Sequence, residues 1–152
     1  MVMIPHWKKG TGPRRPKYNA QKTKIDDIPF DSLAEAKYYC DLKLRLAIGE
    51  ILKIECHPKY VFQPAYRRCC GVIYRGKDEM HTPRKDLCPK CGKKMKAESA
   101  LFYEADFRVT YPDGRQEIED IKGFPTAMFL LKKKLFEYKF PDLTLTVIKS
   151  KR

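Results

Sequence analysis

The predicted fold is decided by the stretch Tyr103-Glu104-Ala105-Asp106-Phe107-Arg108-Val109-Thr110-Tyr111-Pro112-Asp113-Gly114, continued by Arg115-Gln116-Glu117-Ile118-Glu119-Asp120-Ile121-Lys122. Both arms of this stretch alternate like β-strands, and the Pro-Asp-Gly between them is typical of a tight turn. The stretch therefore predicts a β-hairpin. Because side chains alternate between the two faces of a strand, Asp120 and Lys122 point to one face and Ile121 points to the other.

Such a hairpin can hold Asp106, Asp120 and Lys122 together on one face. Two carboxylates beside an ammonium group form a divalent-metal site next to a cation, as phosphodiester hydrolysis requires. The alternative is an Asp-x-Lys triplet on a solvated strand face, which is common in basic proteins. The hairpin geometry, Gly123 directly after Lys122 and the basicity of the chain favour the metal site.

The composition indicates a polyanionic partner. Among 152 residues there are 32 Lys and Arg against 19 Asp and Glu, a net charge of +13 that is typical of nucleic-acid-binding proteins. A membrane surface is the competing polyanion, but no apolar run has the length of a spanning helix, and no signal peptide or lipidation motif is visible. We expect a cytoplasmic protein (in the host cytoplasm if phage-encoded) that has no membrane partner.

The chain divides into an arm and one domain. Residues 1–24 are a basic, flexible arm, because Pro5, Pro13 and Pro16 argue against regular structure there. Residues 25–152 form the domain, which an insertion at 69–96 interrupts. Phosphate contacts are one interpretation of the basic residues of the arm, and a tail without function is the other. The candidate DNA-binding residues are Lys8, Lys9, Arg14, Arg15, Lys17, Lys22, Lys132, Lys133 and Lys134.

Two helices are predicted. Ser32-Leu33-Ala34-Glu35 has the spacing of a capping box and begins a helix that ends at Gly49. Its apolar residues predict a largely buried helix with Glu35 at the head of an interior stripe, so Glu35 either binds a metal or only caps its own helix. The second helix covers 126–139. The predicted apolar stripes are Leu33, Ala36, Cys40, Leu44 and Ala47 on the first helix, and Met128, Leu131, Leu135 and Tyr138 on the second.

The cysteines of the insertion predict a structural zinc site. Cys88-x-x-Cys91-Gly92 is a zinc-knuckle turn, in which two thiolates bind one tetrahedral ion. The adjacent Cys69 and Cys70 are the upstream partners, and either both bind or one binds together with His81. A redox pair at Cys88 and Cys91 is the alternative. The two remaining cysteines, Cys40 and Cys56, lie on apolar faces and are predicted to be inert core residues. Six cysteines in a cytoplasmic protein are thus metal ligands or buried thiols and not disulfides.

The set Glu35, Asp106 and Asp120-Ile121-Lys122 resembles the PD-(D/E)XK nuclease superfamily, in which a helix Glu precedes a β-hairpin that carries Asp and then (Asp/Glu)-x-Lys. A small phage-associated family within it, whose members look like Holliday-junction resolvases of the archaeal type, is more closely similar. The motifs that carry this likeness are Lys17-Tyr18-Asn19-Ala20, Phe30-Asp31-Ser32 with Glu35-Ala36, Ala105-Asp106-Phe107 and Glu119-Asp120-Ile121-Lys122-Gly123.

The resemblance covers roughly residues 17–149 outside the insertion and departs from the family pattern at two positions. Asp120 stands where Glu is commoner, and Ala105 stands where the superfamily name has Pro. Glu119 is a neighbouring carboxylate that could be taken for the ligand, but the strand period favours Asp120. The implied fold class is α/β (α+β), with a restriction-endonuclease-like core in which helices flank a central mixed sheet.

The resemblance implies a metal-dependent, structure-selective DNA endonuclease, and specifically a Holliday junction resolvase. Asp106, Asp120 and the Ile121 carbonyl are expected to bind catalytic Mg²⁺ or Mn²⁺. Glu35 is expected to hold that ion, or a second one, through water. Lys122 is expected to orient or deprotonate the attacking water and to offset charge on the phosphate.

Two symmetric nicks in a four-way DNA junction imply a homodimer. Two alternatives stay open at this point. One is a non-catalytic zinc-ribbon protein that binds nucleic acid, in which the acidic cluster is merely structural. The other is a nuclease of the same fold with a different target, such as a transposon-end or mismatch nickase.

Overall fold

The structure is a computed structural model that describes residues 22–150. In chain order its elements are β1 (Thr23–Ile25), β2 (Ile28–Phe30), α1 (Leu33–Ala47), β3 (Lys53–Cys56), β4 (Lys59–Gln63), β5 (Tyr66–Cys69), β6 (Val72–Arg75), β7 (Lys96–Glu98), β8 (Leu101–Glu104), β9 (Phe107–Thr110), β10 (Gln116–Lys122), α2 (Ala127–Lys139) and β11 (Thr144–Lys149). The predicted mixture of helices and strands is confirmed.

Part of the predicted arm lies outside the described residues. This applies to five of its candidate DNA-binding residues, Lys8, Lys9, Arg14, Arg15 and Lys17. The last two residues of the predicted arm, Thr23 and Lys24, belong to β1, which pairs with β2 in an antiparallel hairpin. Within residues 22–150, neither helix has the length and apolar character needed to cross a membrane.

A four-stranded mixed sheet with the order β11-β10-β9-β3 forms the centre of the fold. β10 runs parallel to β11 and antiparallel to β9, and β9 runs antiparallel to β3. The predicted hairpin is the β9–β10 pair. Its turn is closed by a hydrogen bond of 3.0 Å from the Gly114 N–H to the Tyr111 carbonyl, and Gly114 has a φ of +85°, which glycine adopts without steric cost.

The two helices lie against two separate cores that meet at this sheet. The α1 core joins Phe30, Ala36, Tyr39, Leu42, Ile51, Phe107, Val109 and Ile121. The α2 core joins Tyr60, Tyr103, Ala105, Ile118, Phe129, Phe136 and Leu145. Because side chains alternate along β10, Glu119 lies on the same face as Ile121 in the α1 core, and Asp120 lies on the same face as Ile118 in the α2 core.

Both ends of α1 follow from the sequence. The Ser32 hydroxyl accepts the Glu35 N–H at 3.2 Å, which is the N-cap predicted by the capping box. At the other end the Glu50 N–H bonds the Arg45 carbonyl at 3.0 Å and the Gly49 N–H bonds the Leu46 carbonyl at 3.1 Å. These two bonds form a Schellman motif, in which Gly49 takes the left-handed position with a φ of +76°.

The apolar stripes predicted for the two helices are correct only in part: Ala36 is buried as predicted, whereas most of the other members are exposed. On α1 the exposed fractions of Leu33 and Leu44 are 45% and 68%, and Cys40 is exposed as well, so this thiol is not a core residue. Each helix has a second apolar side that carries aromatic rings, and this side faces the interior because large rings bury more apolar area. The buried residues are Ala36, Tyr39 and Leu42 on α1, and Phe129 and Phe136 on α2.

The insertion is a small sheet of its own, with the strand order β6-β5-β7. It runs from Tyr66 to Glu98, so the unit is wider at both ends than the predicted 69–96. The antiparallel pair β4–β8 leads into it, because β4 immediately precedes β5 and β8 immediately follows β7. The insertion therefore leaves and re-enters the domain on neighbouring strands.

Candidate active site and cysteine cluster

Asp106 stands where β9 and β10 stop pairing. The last pair of that ladder is Phe107 with Glu119, so the residues next in line, Asp106 and Asp120, face each other across the ladder end. Asp106 Oδ2 accepts the Ile121 N–H at 2.6 Å, in the place of a backbone acceptor. In an antiparallel ladder the N–H and C=O of one residue project to the same side, so the Ile121 carbonyl leaves β10 on the Asp106 side.

Asp120 is a buried carboxylate without hydrogen-bond donors. Its exposed fraction is 1%, and neither of its oxygens accepts a hydrogen bond from any residue between 22 and 150. Lys122 Nζ lies 2.9 Å from Asp120 Oδ2, an ion-pair distance that lacks hydrogen-bond geometry. A buried carboxylate that accepts no hydrogen bond destabilises the folded state unless a cation lies beside it. Among the described residues, the Lys122 ammonium is the charged group that partly balances the Asp120 carboxylate.

The charges of the site are strongly coupled. Burial, and then the neighbouring Asp120, raises the pKa of Asp106 to about 7, although Lys122 and the Ile121 N–H act in the opposite direction. Burial acts to lower the pKa of Lys122, but the carboxylates of Asp106 and Asp120 outweigh it and raise that pKa. Two neighbouring buried carboxylates ionise together only at a cost, which a divalent cation would relieve.

Glu35 makes the contacts of a capping residue. Its Oε1 accepts the Ser32 hydroxyl at 2.8 Å and its Oε2 accepts the Asp31 N–H at 3.1 Å. Its charge also contributes to the raised pKa of both Asp106 and Lys122, so Glu35 lies within electrostatic range of the site. The two interpretations of Glu35 are therefore compatible, since a half-buried cap stands beside the acidic pair.

Glu119 points away from this site. It lies on the α1 side of the sheet with an exposed fraction of 4%, and burial raises its pKa in spite of a hydrogen bond from Tyr38. The carboxylate beside Lys122 is that of Asp120, the residue that the strand period favours.

Tyr103 is a neighbour of the site that the sequence did not reveal. Its hydroxyl is buried and lacks a hydrogen-bond partner among residues 22–150. Burial, and then the Asp120 carboxylate, raises the pKa of this hydroxyl, so the Tyr103 hydroxyl lies beside Asp120. The sequence around Tyr103 shows only the alternation of a β-strand. This pattern predicts β8 but does not predict that β8 packs beside Asp120.

The predicted DNA-binding lysines within the described residues do not share one face. Lys132, Lys133 and Lys134 follow one another on α2, where successive residues are about 100° apart. Lys134 is exposed, while Lys133 is half-buried and pairs with Glu137. Lys22 Nζ pairs with Asp31 Oδ1 at 3.1 Å.

Four cysteines converge in the insertion. The sulfurs of Cys69, Cys70, Cys88 and Cys91 all lie within 4.8 Å of one another, with 3.5 Å between Cys69 and Cys91 and 3.6 Å between Cys69 and Cys70. Four thiolates at Zn–S bonds of about 2.3 Å in a tetrahedron stand about 3.8 Å apart. The cluster could therefore bind a metal such as zinc. His81 is not part of it, because its exposed ring contacts Asp78 at 2.6 Å.

A tight turn brings the adjacent cysteines together. Cys69 pairs with Val72 across the β5–β6 hairpin, and the residues between them, Cys70 and Gly71, have φ values of +53° and +73°. In a regular strand, neighbouring side chains point to opposite faces. The left-handed backbone at Cys70 redirects its side chain, so both sulfurs reach the same point.

The knuckle is preorganised around Cys88, which is buried. The Gly92 N–H bonds the Cys88 carbonyl at 2.8 Å and Gly92 has a φ of +68°. The Tyr74 hydroxyl lies 3.5 Å from Cys88 Sγ, and this hydrogen bond lowers the pKa of the Cys88 thiol to about 6. Contact with Cys91 raises the pKa of Cys70 to about 12. One thiolate is thus available at neutral pH, and binding a metal requires the release of protons from the others.

The molecule is a mixed α+β domain with a buried acidic cluster on its central sheet and a four-cysteine cluster on an inserted one. Residues 15–152 match the model of a family described as a protein of unknown function, DUF1064, and the chain belongs to that family. Comparison with curated proteins and with solved structures found no match. The family description assigns no activity to either cluster.

Proposed function

We propose that the chain is a Mg²⁺- or Mn²⁺-dependent, structure-selective DNA endonuclease with a restriction-endonuclease-like core, and that it resolves four-way (Holliday) junctions. One observation carries this proposal. Asp120 is buried without a hydrogen-bond donor among residues 22–150, faces Asp106 and lies 2.9 Å from Lys122. A structural role needs no such arrangement, because two buried carboxylates that share one ammonium group destabilise a fold.

The donor set suits a hard divalent cation. Asp106, Asp120 and the Ile121 carbonyl offer oxygen atoms only, which Mg²⁺ and Mn²⁺ prefer. A bound divalent cation supplies the charge that polarises a phosphodiester and stabilises the departing oxygen. Glu35 lies close enough to add its negative charge to the site, either through water or after it leaves its cap.

Lys122 is the cation of the proposed mechanism. Its raised pKa keeps it protonated at neutral pH, so it acts by orienting the attacking water and by offsetting charge that develops on the phosphate. Deprotonation of that water by a neutral Lys122 is disfavoured by the same raised pKa. The ion pair with Asp120 fixes the ammonium at the site before substrate binds.

The net charge of the chain supports DNA as the substrate. A four-way junction as the target requires a two-fold symmetric enzyme. The net charge of +13 favours a polyanion. Two symmetric cuts need two active sites related by a two-fold axis, which a homodimer provides. α2 and Phe124 in the loop before it offer exposed apolar residues for this dimer, which we call the α2 stripe. Its members, with their exposed fractions, are Phe124 (81%), Met128 (62%), Leu131 (53%) and Tyr138 (89%).

We further propose that the cysteine cluster holds one structural zinc ion. Four sulfurs close the coordination sphere and leave no position for a substrate. The insertion buries few apolar residues, so the binding energy of the ion stabilises it. Its role is separate from cleavage because the two clusters belong to different sheets.

The experiment that tests the function is a cleavage assay. Labelled four-way junction, duplex and single strand of the same sequence are incubated with protein in Mg²⁺, in Mn²⁺ and in buffer without a divalent ion. We expect paired nicks in the junction only, and only with a divalent ion. Preferential nicking of a mismatched duplex or of a transposon end would instead assign the same fold another target.

The second candidate is a non-catalytic nucleic-acid-binding protein, which the four-cysteine cluster favours. It predicts tight binding to DNA and no cleavage under any metal condition. It leaves the buried pair of Asp106 and Asp120 unexplained, because two carboxylates repel the phosphates of a nucleic acid.

A further inference from the structure

A groove with a volume of about 970 Å³ lies in the insertion, away from the acidic cluster. We call it the insertion groove. Its rim carries four basic residues, Arg75, Lys77, Arg84 and Lys85, all of which are exposed. Its volume is at the upper end of the range of small-molecule sites, about 300–1,000 Å³, so it can admit one or two nucleotides.

The rim of the groove is electrostatically unbalanced. Its one acidic residue, Asp78, is already held by His81 at 2.6 Å, and this contact lowers the pKa of the Asp78 carboxyl. The other ion pairs of the insertion within residues 22–150 join Glu98 to Arg68 and to Lys96. None of these pairs involves a basic residue of the rim, so the four positive charges of the rim have no ion-pair partner among residues 22–150.

The floor of the groove is apolar. Met95 is buried beneath it, Leu87 has an exposed fraction of 59%, and Tyr74 forms part of the wall. A duplex backbone needs only cations, because its bases are stacked inside the helix. An apolar floor under a cationic rim instead matches a single strand, whose bases need an apolar surface while its phosphates need cations.

The groove is preformed. Its loop is held by three hydrogen bonds: the Ala65 N–H to the Glu79 carbonyl at 2.7 Å, Arg67 Nε to the Pro83 carbonyl at 2.8 Å, and the Met95 N–H to the Asp86 carbonyl at 2.7 Å. Tyr74 connects the wall to the cysteine cluster, because its hydroxyl contacts Cys88 Sγ. Binding therefore requires little further ordering of the protein.

We propose that the insertion groove binds an unpaired stretch of a DNA strand, with a base on the apolar floor and the flanking phosphates on the basic rim. This deepens the proposed function and rests on it only in taking DNA as the substrate. At a branch point, nucleotides that leave the stack are the ligand that the groove fits. The groove thereby gives the enzyme a means to prefer branched over regular duplex DNA.

The test is a binding experiment on the full chain that carries Asp120→Asn, so that cleavage does not interfere. Fluorescence anisotropy is measured with a labelled 15-nucleotide single strand, with the same strand containing abasic positions, and with a duplex. The groove variant is Lys77→Ala/Lys85→Ala. Its matched control is Lys90→Ala/Lys93→Ala, which removes the same charge from exposed positions of the insertion outside the groove. Zinc content is measured for every variant.

We expect the groove variant to bind the single strand about 10-fold more weakly. The slope of log K against log salt should become shallower by roughly 1.4, because each of the two lost phosphate contacts on a single strand contributes about 0.7 to it. The control should change affinity by less than about threefold. Equal losses in the two variants overturn the proposal and leave only diffuse attraction to a basic surface.

The apolar floor has its own readout. Abasic positions should weaken binding by at least about fivefold, which is the lower end for one base stacked on an aromatic ring such as that of Tyr74 in the groove wall. Leu87→Ala should reduce this difference, while Ile73→Ala, at an exposed residue of the insertion outside the groove, should not. Equal binding of intact and abasic strands overturns the proposal. A groove effect without any cleavage by the wild-type chain would overturn the proposed nuclease and leave the groove in place.

Discussion

The Ile121 N–H donates a hydrogen bond of 2.6 Å to the Asp106 carboxylate. One side chain of the acidic pair is therefore positioned by the backbone of the strand that carries the other side chain. A shift of β10 relative to β9 would move Asp106, Asp120 and Lys122 together. The site is for this reason as rigid as the sheet itself, which favours a role that depends on fixed charges.

Removing any charged member of the site should abolish cleavage. We expect Asp106→Asn, Asp120→Asn and Lys122→Ala each to lower the rate of junction cleavage by at least about 10²-fold, with unchanged binding, because positioned charges act mainly in the transition state. The assay is single-turnover cleavage in Mg²⁺. Glu119→Gln is the matched control, since Glu119 is buried on the other face of the same strand, and it should retain most activity. Cleavage by Asp120→Asn at the wild-type rate contradicts the site assignment.

The acidic pair should cost the protein stability when no divalent ion is added. The pKa of Asp106 is raised to about 7 in the folded state, so its proton is lost from the unfolded state first as pH rises. Asp106→Asn should therefore match the wild type below about pH 4 and gain stability progressively up to about pH 7. Above that pH the gain should stay constant at roughly 2 kcal/mol or more. Urea unfolding between pH 4 and pH 8 without Mg²⁺ measures the difference in the free energy of unfolding between the variant and the wild type. A difference that shrinks as pH rises would contradict the raised pKa of Asp106.

Zinc should be present at one ion per chain and should stabilise the insertion only. Cys88→Ser should release the ion and lower the melting temperature, because the binding energy of the ligand is folding energy here. Elemental analysis and thermal unfolding measure the two effects. Cys40→Ser, at an exposed cysteine outside the cluster, is the control and should change neither. Protein purified without chelator that contains no zinc would instead indicate a Cys88–Cys91 disulfide.

The α2 stripe should hold a homodimer together. Leu131→Glu places a charge in the middle of the stripe, and we expect the molar mass in light scattering to fall from that of a dimer to that of a monomer. Leu44→Glu is the control, since Leu44 is at least as exposed but lies on α1. Paired cutting of the junction should be lost together with the dimer. A wild-type chain that is monomeric at micromolar concentration contradicts this role of the stripe.

Deletion of residues 1–16 should weaken junction binding and flatten its salt dependence. The deleted segment contains four of the candidate DNA-binding residues, Lys8, Lys9, Arg14 and Arg15, and phosphate contacts determine this slope. Thermal stability should change little. An unchanged slope of log K against log salt would show that these residues make no phosphate contacts.

The parts of the molecule that depend on local chemistry could be predicted from the sequence. The β9–β10 hairpin follows from alternation and a Pro-Asp-Gly turn, and both ends of α1 follow from Ser32, Glu35 and Gly49. The placement of Asp120 beside Lys122 is also local, because residues two apart on a strand share a face.

The parts that depend on packing between distant segments could not be predicted. Each helix has two apolar sides, and only the sheet determines which one is buried, so Met128 and Leu131 were assigned to the core in place of Phe129 and Phe136. Tyr103 lies beside Asp120 because β8 joins the α2 core, a contact that no local pattern encodes.

The way in which the insertion joins the domain has a consequence for the order of folding. β4 and β8 pair along the central domain, so the two chain ends that flank the insertion are brought together whether or not the insertion has folded. Loop closure is thus provided by the domain, and the cysteine-bearing sheet can form afterwards. If the cysteine cluster holds zinc as proposed, a cell that is short of zinc would still make a chain in which the acidic site is assembled. The insertion of that chain would be unfolded. On the proposed function, metal supply would therefore change DNA selection by the insertion groove before it changes cleavage at the acidic site.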